Sequence, residues 1–158
     1  MLEQFARHGS FDLTLDCKGD LRVGGHHTVE DCGIALGQAF TKALGDKRGI
    51  TRYGWAVLPM DEALILCSAD LSGRDYLNFD ITFPDEYRLG DMDCELFKEF
   101  FLAFTRACPV ALHFKKLYGD NNHHVAEGAF KAFSKAMAQA VAINAKNSGT
   151  LPTTKGTL

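Results

Sequence analysis

The stretch HHTVEDCGIALGQAF at 26–40 decides how the rest of the chain is read, because HHVAEGAFKAFSKAM at 123–137 repeats its opening. Both begin His-His-x-x-Glu: His26, His27 and Glu30 in the first copy, His123, His124 and Glu127 in the second. On a helix, residues three and four apart share a face, so each glutamate stands beside its two histidines. Imidazole nitrogens next to a carboxylate suit a divalent transition metal. Four of the six histidines fall in these two motifs, so the residues concentrate where a ligand would need them. A single motif of this kind is weak evidence. Two of them, each opening a helical pattern (Val29, Leu36, Phe40, Leu44 and Val125, Ala129, Phe133, Met137, Ala140), make metal binding the leading expectation.

The similarity extends upstream. Met1-Leu2-Glu3-Gln4-Phe5-Ala6-Arg7 aligns with Phe100-Phe101-Leu102-Ala103-Phe104-Thr105-Arg106, Leu13 aligns with Leu112, and a two-residue slip brings the motifs into register. The pattern predicts a duplicated half-domain, each half supplying a helix, a strand and a metal-bearing helix. One domain over 1–158 is expected, with pseudo-repeats at about 1–45 and 50–145 and a tail at 146–158. Two copies are too few for a solenoid.

Periodicity fills in the elements. A helix remnant at 1–8 is followed by Phe11-Leu13-Leu15, whose alternation predicts a strand. Gly24-Gly25 leads into the first metal helix, about 27–44, stopped by Gly45. Strands are expected at 53–58 and 62–70 around a turn at Pro59-Met60-Asp61, and again at Leu77-Phe79-Ile81-Phe83. Asp93 is placed as the cap of a helix running to Ala107, with Leu96, Phe97, Phe100, Phe101 and Phe104 on its apolar face. Leu112 and Phe114 mark a further strand, Asn121-Asn122 cap the second metal helix, and Asn147-Ser148-Gly149 opens a flexible tail. Strands in mixed order with helices on one face make an α+β sandwich.

Composition excludes several classes. The 158 residues, 46% hydrophobic, suffice for one sizeable core. Seventeen basic against twenty acidic residues give a net charge of −3, so no nucleic-acid footprint is present. The five cysteines (17, 32, 67, 94 and 108) include no CxxC, which suits reduced thiols in a cytoplasmic enzyme rather than a disulfide framework or zinc knuckle. Cys94 and Cys108 are expected to pack. No apolar run reaches membrane-spanning length, and the first residues form no signal peptide. His8, ahead of Gly9, is expected at a helix end and not among the ligands. His113 alternates with Leu112 and Phe114, so its side chain faces opposite theirs, toward solvent.

The stretches HHTVEDCGIALGQAF (26–40), ALGDKRGITRYGWAVLPMDEALILCSADLSGRDY (43–76), NNHHVAEGAFKAFSKA (121–136) and PTTKG (152–156) resemble the imidazoleglycerol-phosphate dehydratases, lyases of histidine biosynthesis. The resemblance covers essentially the whole chain. It implies dehydration of imidazole glycerol phosphate to imidazole acetol phosphate, with two divalent metals per active site stabilising an imidazolate form of the substrate. Manganese is the expected ion. The implied fold is α+β with duplicated halves, mixed sheets packed against helices, of the ribosomal S5 domain 2-like or ferredoxin-like kind. The implied ligands are His26, His27, Glu30, His123, His124 and Glu127, with Glu30 and Glu127 also counted as catalytic. Arg52 and Arg74 match the family's phosphate-contacting arginines, and guanidinium forks suit a terminal phosphate. Thr153, Thr154 and Lys155 in the tail complete an anion-binding set. Similar enzymes are homo-oligomers, 24-subunit assemblies of trimers with active sites between subunits.

Two departures shape the expectations. Family members carry a further segment ahead of this start, including a histidine ligand just before Met1 and a catalytic glutamate. Glu99 stands where many members have a histidine ligand, and a carboxylate can replace imidazole on manganese, so Glu99 joins the expected ligands. The chain as written is expected to fold or assemble poorly and to turn over little substrate. The alternative function is a truncated, non-catalytic metal-binding subunit of the same family. A generic dinuclear metallohydrolase explains the ligands but not the resemblance in the strands and tail.

Overall fold

The computed structural model describes residues 1–84 and 88–158. In chain order it contains α1 (Leu2–Gly9), α2 (His26–Leu44), β1 (Tyr53–Met60), β2 (Ala63–Asp70), β3 (Tyr76–Asp80), β4 (Arg88–Leu89), β5 (Met92–Asp93), α3 (Glu95–Ala107), β6 (Ala111–Tyr118) and α4 (Asn122–Val141). Four strands make one mixed sheet in the order β1-β2-β6-β3, antiparallel except where β3 runs parallel to β6. β4 and β5 form a separate small hairpin. This is an α+β fold with a four-stranded mixed sheet packed against helices.

The sheet has one helix-covered face because its strands alternate. Ala63, Ile65, Cys67 and Ala69 of β2 and Leu112 and Phe114 of β6 point inward and are buried. On β1 the inward residues shrink to Gly54 and Ala56, and α4 lies directly on them. A Cβ at Gly54 would stand 1.9 Å from the Ala136 carbonyl oxygen, so only glycine permits that approach. The outward residues Tyr53, Trp55 and Val57 remain exposed.

Aromatic packing joins the layers. The fully buried Phe133 of α4 lies with its ring centroid 4.8 Å from Phe5 of α1, 5.2 Å from Phe101 and 5.1 Å from Phe104 of α3, and 6.3 Å from Phe114 of β6. Truncating such a residue costs about 3–5 kcal/mol. α2 rests on α3 through Gly33 and Gly37, one helical turn apart. A Cβ there would meet the carbonyl oxygens of Phe100 at 2.6 Å and Phe104 at 2.7 Å.

Several local expectations are revised. Residues 11–15 are not a strand. Phe11 and Leu13 do pack against the core in alternation, but among the described residues no strand pairs with this segment, and a strand needs a ladder partner. β1 continues through Met60, so the hairpin turns at Asp61 and Glu62, with Asp61 at φ 47°. β3 ends at Asp80, short of Ile81 and Phe83. Asp93 does not cap α3: it lies in β5 and accepts from Arg88 Nε at 3.0 Å, while Cys94 occupies the cap position without a side-chain cap bond. The tail is tied down, because Gly49 N donates to Thr150 O at 2.9 Å, Arg48 Nη1 to Gly149 O at 3.0 Å and Arg52 Nη1 to Pro152 O at 2.9 Å.

Candidate metal and substrate site

Both histidine pairs stand on the first turn of a helix, α2 beginning at His26 and α4 at Asn122. Free N–H groups at a helix start must find partners outside the helix. Asn121 fixes the α4 start by accepting from the backbone N–H of His123 at 2.8 Å and of His124 at 3.2 Å, the cap its sequence position predicts. Gly25, the α2 cap, has no side chain to offer.

The two pairs share a geometry. Ring centroids are 6.2 Å apart in each, with interplanar angles of 84° for His26 and His27 and 73° for His123 and His124. The second ring of each pair is held through Nδ1 by a carboxylate: Asp20 Oδ2 at 2.9 Å from His27, and Glu62 Oε2 at 2.6 Å from His124. In the neutral ring this places the proton on Nδ1 and turns the Nε2 lone pair outward, the carboxylate–histidine arrangement of many metal sites, and at His124 that Nε2 also faces Asp61 Oδ2 at 3.5 Å. The same hydrogen bonds raise the pKa of His27 and His124 and lower that of Asp20. Glu62 is held down to about 2, first by His124 and further by the backbone N–H groups of Asp120 and Asn121.

The first histidine and the glutamate of each motif differ between copies. His123 Nε2 lies 3.0 Å from Glu127 Oε2, and Lys131 Nζ lies 2.5 Å from Glu127 Oε1. Glu127 is buried, and the Lys131 hydrogen bond is the main reason its carboxyl titrates below the ordinary value. Among the described residues neither His26 nor Glu30 has a hydrogen-bond or ion-pair partner. His27, Glu30 and Asp31 line an open cavity with the segment 17–20.

Among the described residues no three His, Cys, Asp or Glu side chains gather closely enough to hold a metal within one chain. Among those residues the α2 and α4 motifs form no such group with one another, and none forms with Glu99, which is half-buried on α3. His8 sits in the last turn of α1, with Nε2 3.1 Å from Gln4 Oε1 rather than on a free carbonyl. His113 is exposed on β6 with its ring 5.3 Å from Tyr76. Glu62 is the residue that sequence reasoning left without a role. It sits in a charged turn, and only the fold brings that turn to the start of α4.

Of the residues expected at the phosphate, Arg52 is tied to the tail at one end of the sheet. Arg52 forks onto Asp70 through Nε at 2.7 Å and Nη2 at 3.1 Å, while Nη1 holds Pro152. That seats Thr153, Thr154 and Lys155, where Thr153 Oγ1 accepts from Lys155 N at 3.1 Å. The tail then reaches Gly73, where a Cβ would stand 2.4 Å from the Leu158 carbonyl carbon, next to the exposed Arg74. Asp70 already occupies most of the Arg52 fork, so Arg52 anchors the tail and has only part of its donor set left for an anion.

The family model of imidazoleglycerol-phosphate dehydratase matches residues 1–137. The enzyme of that name from Gluconobacter oxydans is 52% identical over 158 residues, which is all of this chain and 79% of that protein. The one from Methylorubrum populi is 54% identical over the same length, 80% of that protein. The crystal structure of the Staphylococcus aureus enzyme superposes with TM-score 0.83 at 36% identity, covering 90% of this chain and 81% of that one. The Pyrococcus furiosus enzyme, solved in complex with (S)-C348, gives 0.80 at 33% identity, covering 99% and 83%. Among the described residues no helix is long and apolar enough to cross a membrane. With its paired histidine helices and its match to that family model, the chain belongs to the imidazoleglycerol-phosphate dehydratases, hydro-lyases of histidine biosynthesis.

Proposed function

We propose that each active site is assembled between subunits, with the α2 motif of one chain facing the α4 motif of another. His26, His27 and Glu30 would hold one divalent ion and His123, His124 and Glu127 a second, with Glu99 completing a site from α3; manganese fits this mixed nitrogen and oxygen set. The observation that carries the reading is the matched Nδ1–carboxylate bond at His27 and His124, which sets two separated rings in the same ligating tautomer. A duplicated half-domain, with pseudo-repeats at about 1–45 and 50–145, accounts for that match. When bound, the ions supply Lewis acidity to the substrate's imidazole ring.

The chain's own residues supply the rest. Glu127 and Glu30 would move protons beside the ring. Arg74, Lys155 and the Thr153 and Thr154 hydroxyls hold the phosphate, with Arg52 fixing the tail that presents them. Half-sites on two faces of one chain fit a homo-oligomer of trimers, up to 24 subunits, in which the ions tie trimers together.

The test is metal analysis combined with sedimentation. Protein purified without chelator should carry two manganese equivalents per active site, and chelation should shift a large particle toward trimers. A His26→Ala, His123→Ala double variant that kept all its metal would refute the ligand assignment. A particle size unmoved by chelation would refute the shared site.

A further inference from the structure

Segment 17–20 lies along the first turns of α2, with two contacts in sequence. Asp20 bonds His27 at 2.9 Å. Gly19 sits so close to Thr28 that a Cβ would fall 1.8 Å from Thr28 Oγ1. The segment therefore runs antiparallel to the helix, and two residues further back along that run Cys17 comes to Cys32, one turn beyond Thr28 on the same helix face. Cys17 is exposed and lines the open cavity with Lys18, Asp20 and Glu30, whereas Cys32 is half-buried. Cys67, Cys94 and Cys108 are buried, so an oxidant in solution meets Cys17 first.

We propose that Cys17 and Cys32 form a reversible disulfide that pins the 17–20 segment, and with it the Asp20–His27 contact, onto α2. The oxidant is a peroxide. The Cys17 sulfur attacks one peroxide oxygen, the O–O bond breaks and water leaves, giving a sulfenic acid. The Cys32 sulfur then attacks the Cys17 sulfur, the S–OH bond breaks and a second water leaves. Two thiols are oxidised by two electrons and one hydrogen peroxide becomes two waters. A dithiol reductant reverses the step. Cys17 and Cys32 are fifteen positions apart, long enough for the closed loop to restrict segment 17–24 appreciably. This inference does not depend on the metal assignment, because it concerns the two thiols and the segment between them.

The experiment treats the full chain with hydrogen peroxide, blocks free thiols and digests it with trypsin without reduction. Cleavage after Arg7, Lys18, Arg22 and Lys42 places the two cysteines on separate peptides, 8–18 and 23–42. The expected product is these two peptides joined, lighter by two hydrogens, reverting with dithiothreitol and absent from Cys17→Ser and Cys32→Ser proteins. Amide exchange in 17–24 should slow on oxidation of the parent protein and stay unchanged in Cys32→Ser. Cys17 advancing to sulfinic acid without joining 23–42, or linking to another cysteine, would overturn the pairing. A joined pair with unchanged exchange in 17–24 would overturn the pinning.

Discussion

The two His-His-x-x-Glu motifs carry the same letters on helices of similar length but sit in different surroundings. On α4 every polar atom of the motif's glutamate is engaged, its second histidine has a half-exposed glutamate clamped by two backbone N–H groups, and an asparagine caps the helix. On α2, among the described residues, the side chains of the glutamate and first histidine have no hydrogen-bond or ion-pair partner, and the orienting Asp20 belongs to an exposed irregular segment. The difference follows from what lies behind each helix. α4 rests on β1 and β2, so the β1–β2 hairpin delivers Glu62 to its start. α2 rests on α3, and no strand turn reaches its start among the described residues. Chemistry repeated in sequence is thus preorganised at one end and adjustable at the other.

The sharpest break of this comparison is at the glutamates. Glu127→Gln and Glu30→Gln should each lower kcat by about 10²–10⁴-fold, the range for losing a positioned proton-transfer group. Their stabilities should differ. Glu127→Gln leaves Lys131 beside a neutral amide in a largely buried position, so its thermal midpoint should fall. Glu30→Gln should melt like the parent. Steady-state kinetics of the assembled enzyme with thermal melts of the same samples separates the two effects. Equal melting losses at both positions would mean that the two motifs are not set differently.

The orienting carboxylates come next in size. Removing an outer-shell partner of a ligating histidine costs about 10–100-fold in metal affinity. Glu62→Gln should sit at the upper end, because Glu62 also holds the backbone of Asp120 and Asn121. Asp20→Asn should sit at the lower end, because Asp20 and His27 are more than half exposed. Competition with a coloured chelator measures both. The larger loss at Asp20 would reverse the comparison.

These contrasts show what sequence could and could not carry. The alternation of Ala63, Ile65, Cys67 and Ala69 states which way β2 faces, and Asn121 announces the start of α4, because both signals are local. Alternation at Phe11 and Leu13 is equally local and still reports burial correctly, but whether such a segment becomes a strand depends on a partner, which periodicity cannot supply. Asp93 has the right chemistry for a cap and lost that place to an ion pair with Arg88. The histidine pairs were visible because the motif repeats. Their orienting partners were not, since Glu62 meets His124 across 62 positions and only the hairpin makes them neighbours. Arg52 was legible as a cation but not as one already forked onto Asp70.

The smallest expected effect concerns pH, and it follows from the signs of two shifts. His124 has its pKa raised above 6.5 by Glu62, so the contact contributes its full stability below 6.5 and loses it as pH rises through the higher folded value. Glu62 has its pKa lowered from 4.5 to about 2, so its contribution is complete above 4.5 and fades as pH falls toward 2. The contact is therefore strongest between about pH 4.5 and 6.5, where the carboxylate and the imidazolium coexist. In chelated protein, the difference in urea midpoint between the parent and Glu62→Gln should peak in that window and shrink on both sides. The same scan on Asp20→Asn should show the same signs with a smaller peak, since solvent screens the more exposed pair. Under the proposed ligation His124 would hold metal as the neutral ring, so adding manganese should flatten the loss above pH 6.5. A midpoint difference that grew steadily toward alkaline pH in the chelated protein would show that Glu62 acts through the Asp120 and Asn121 backbone rather than through His124.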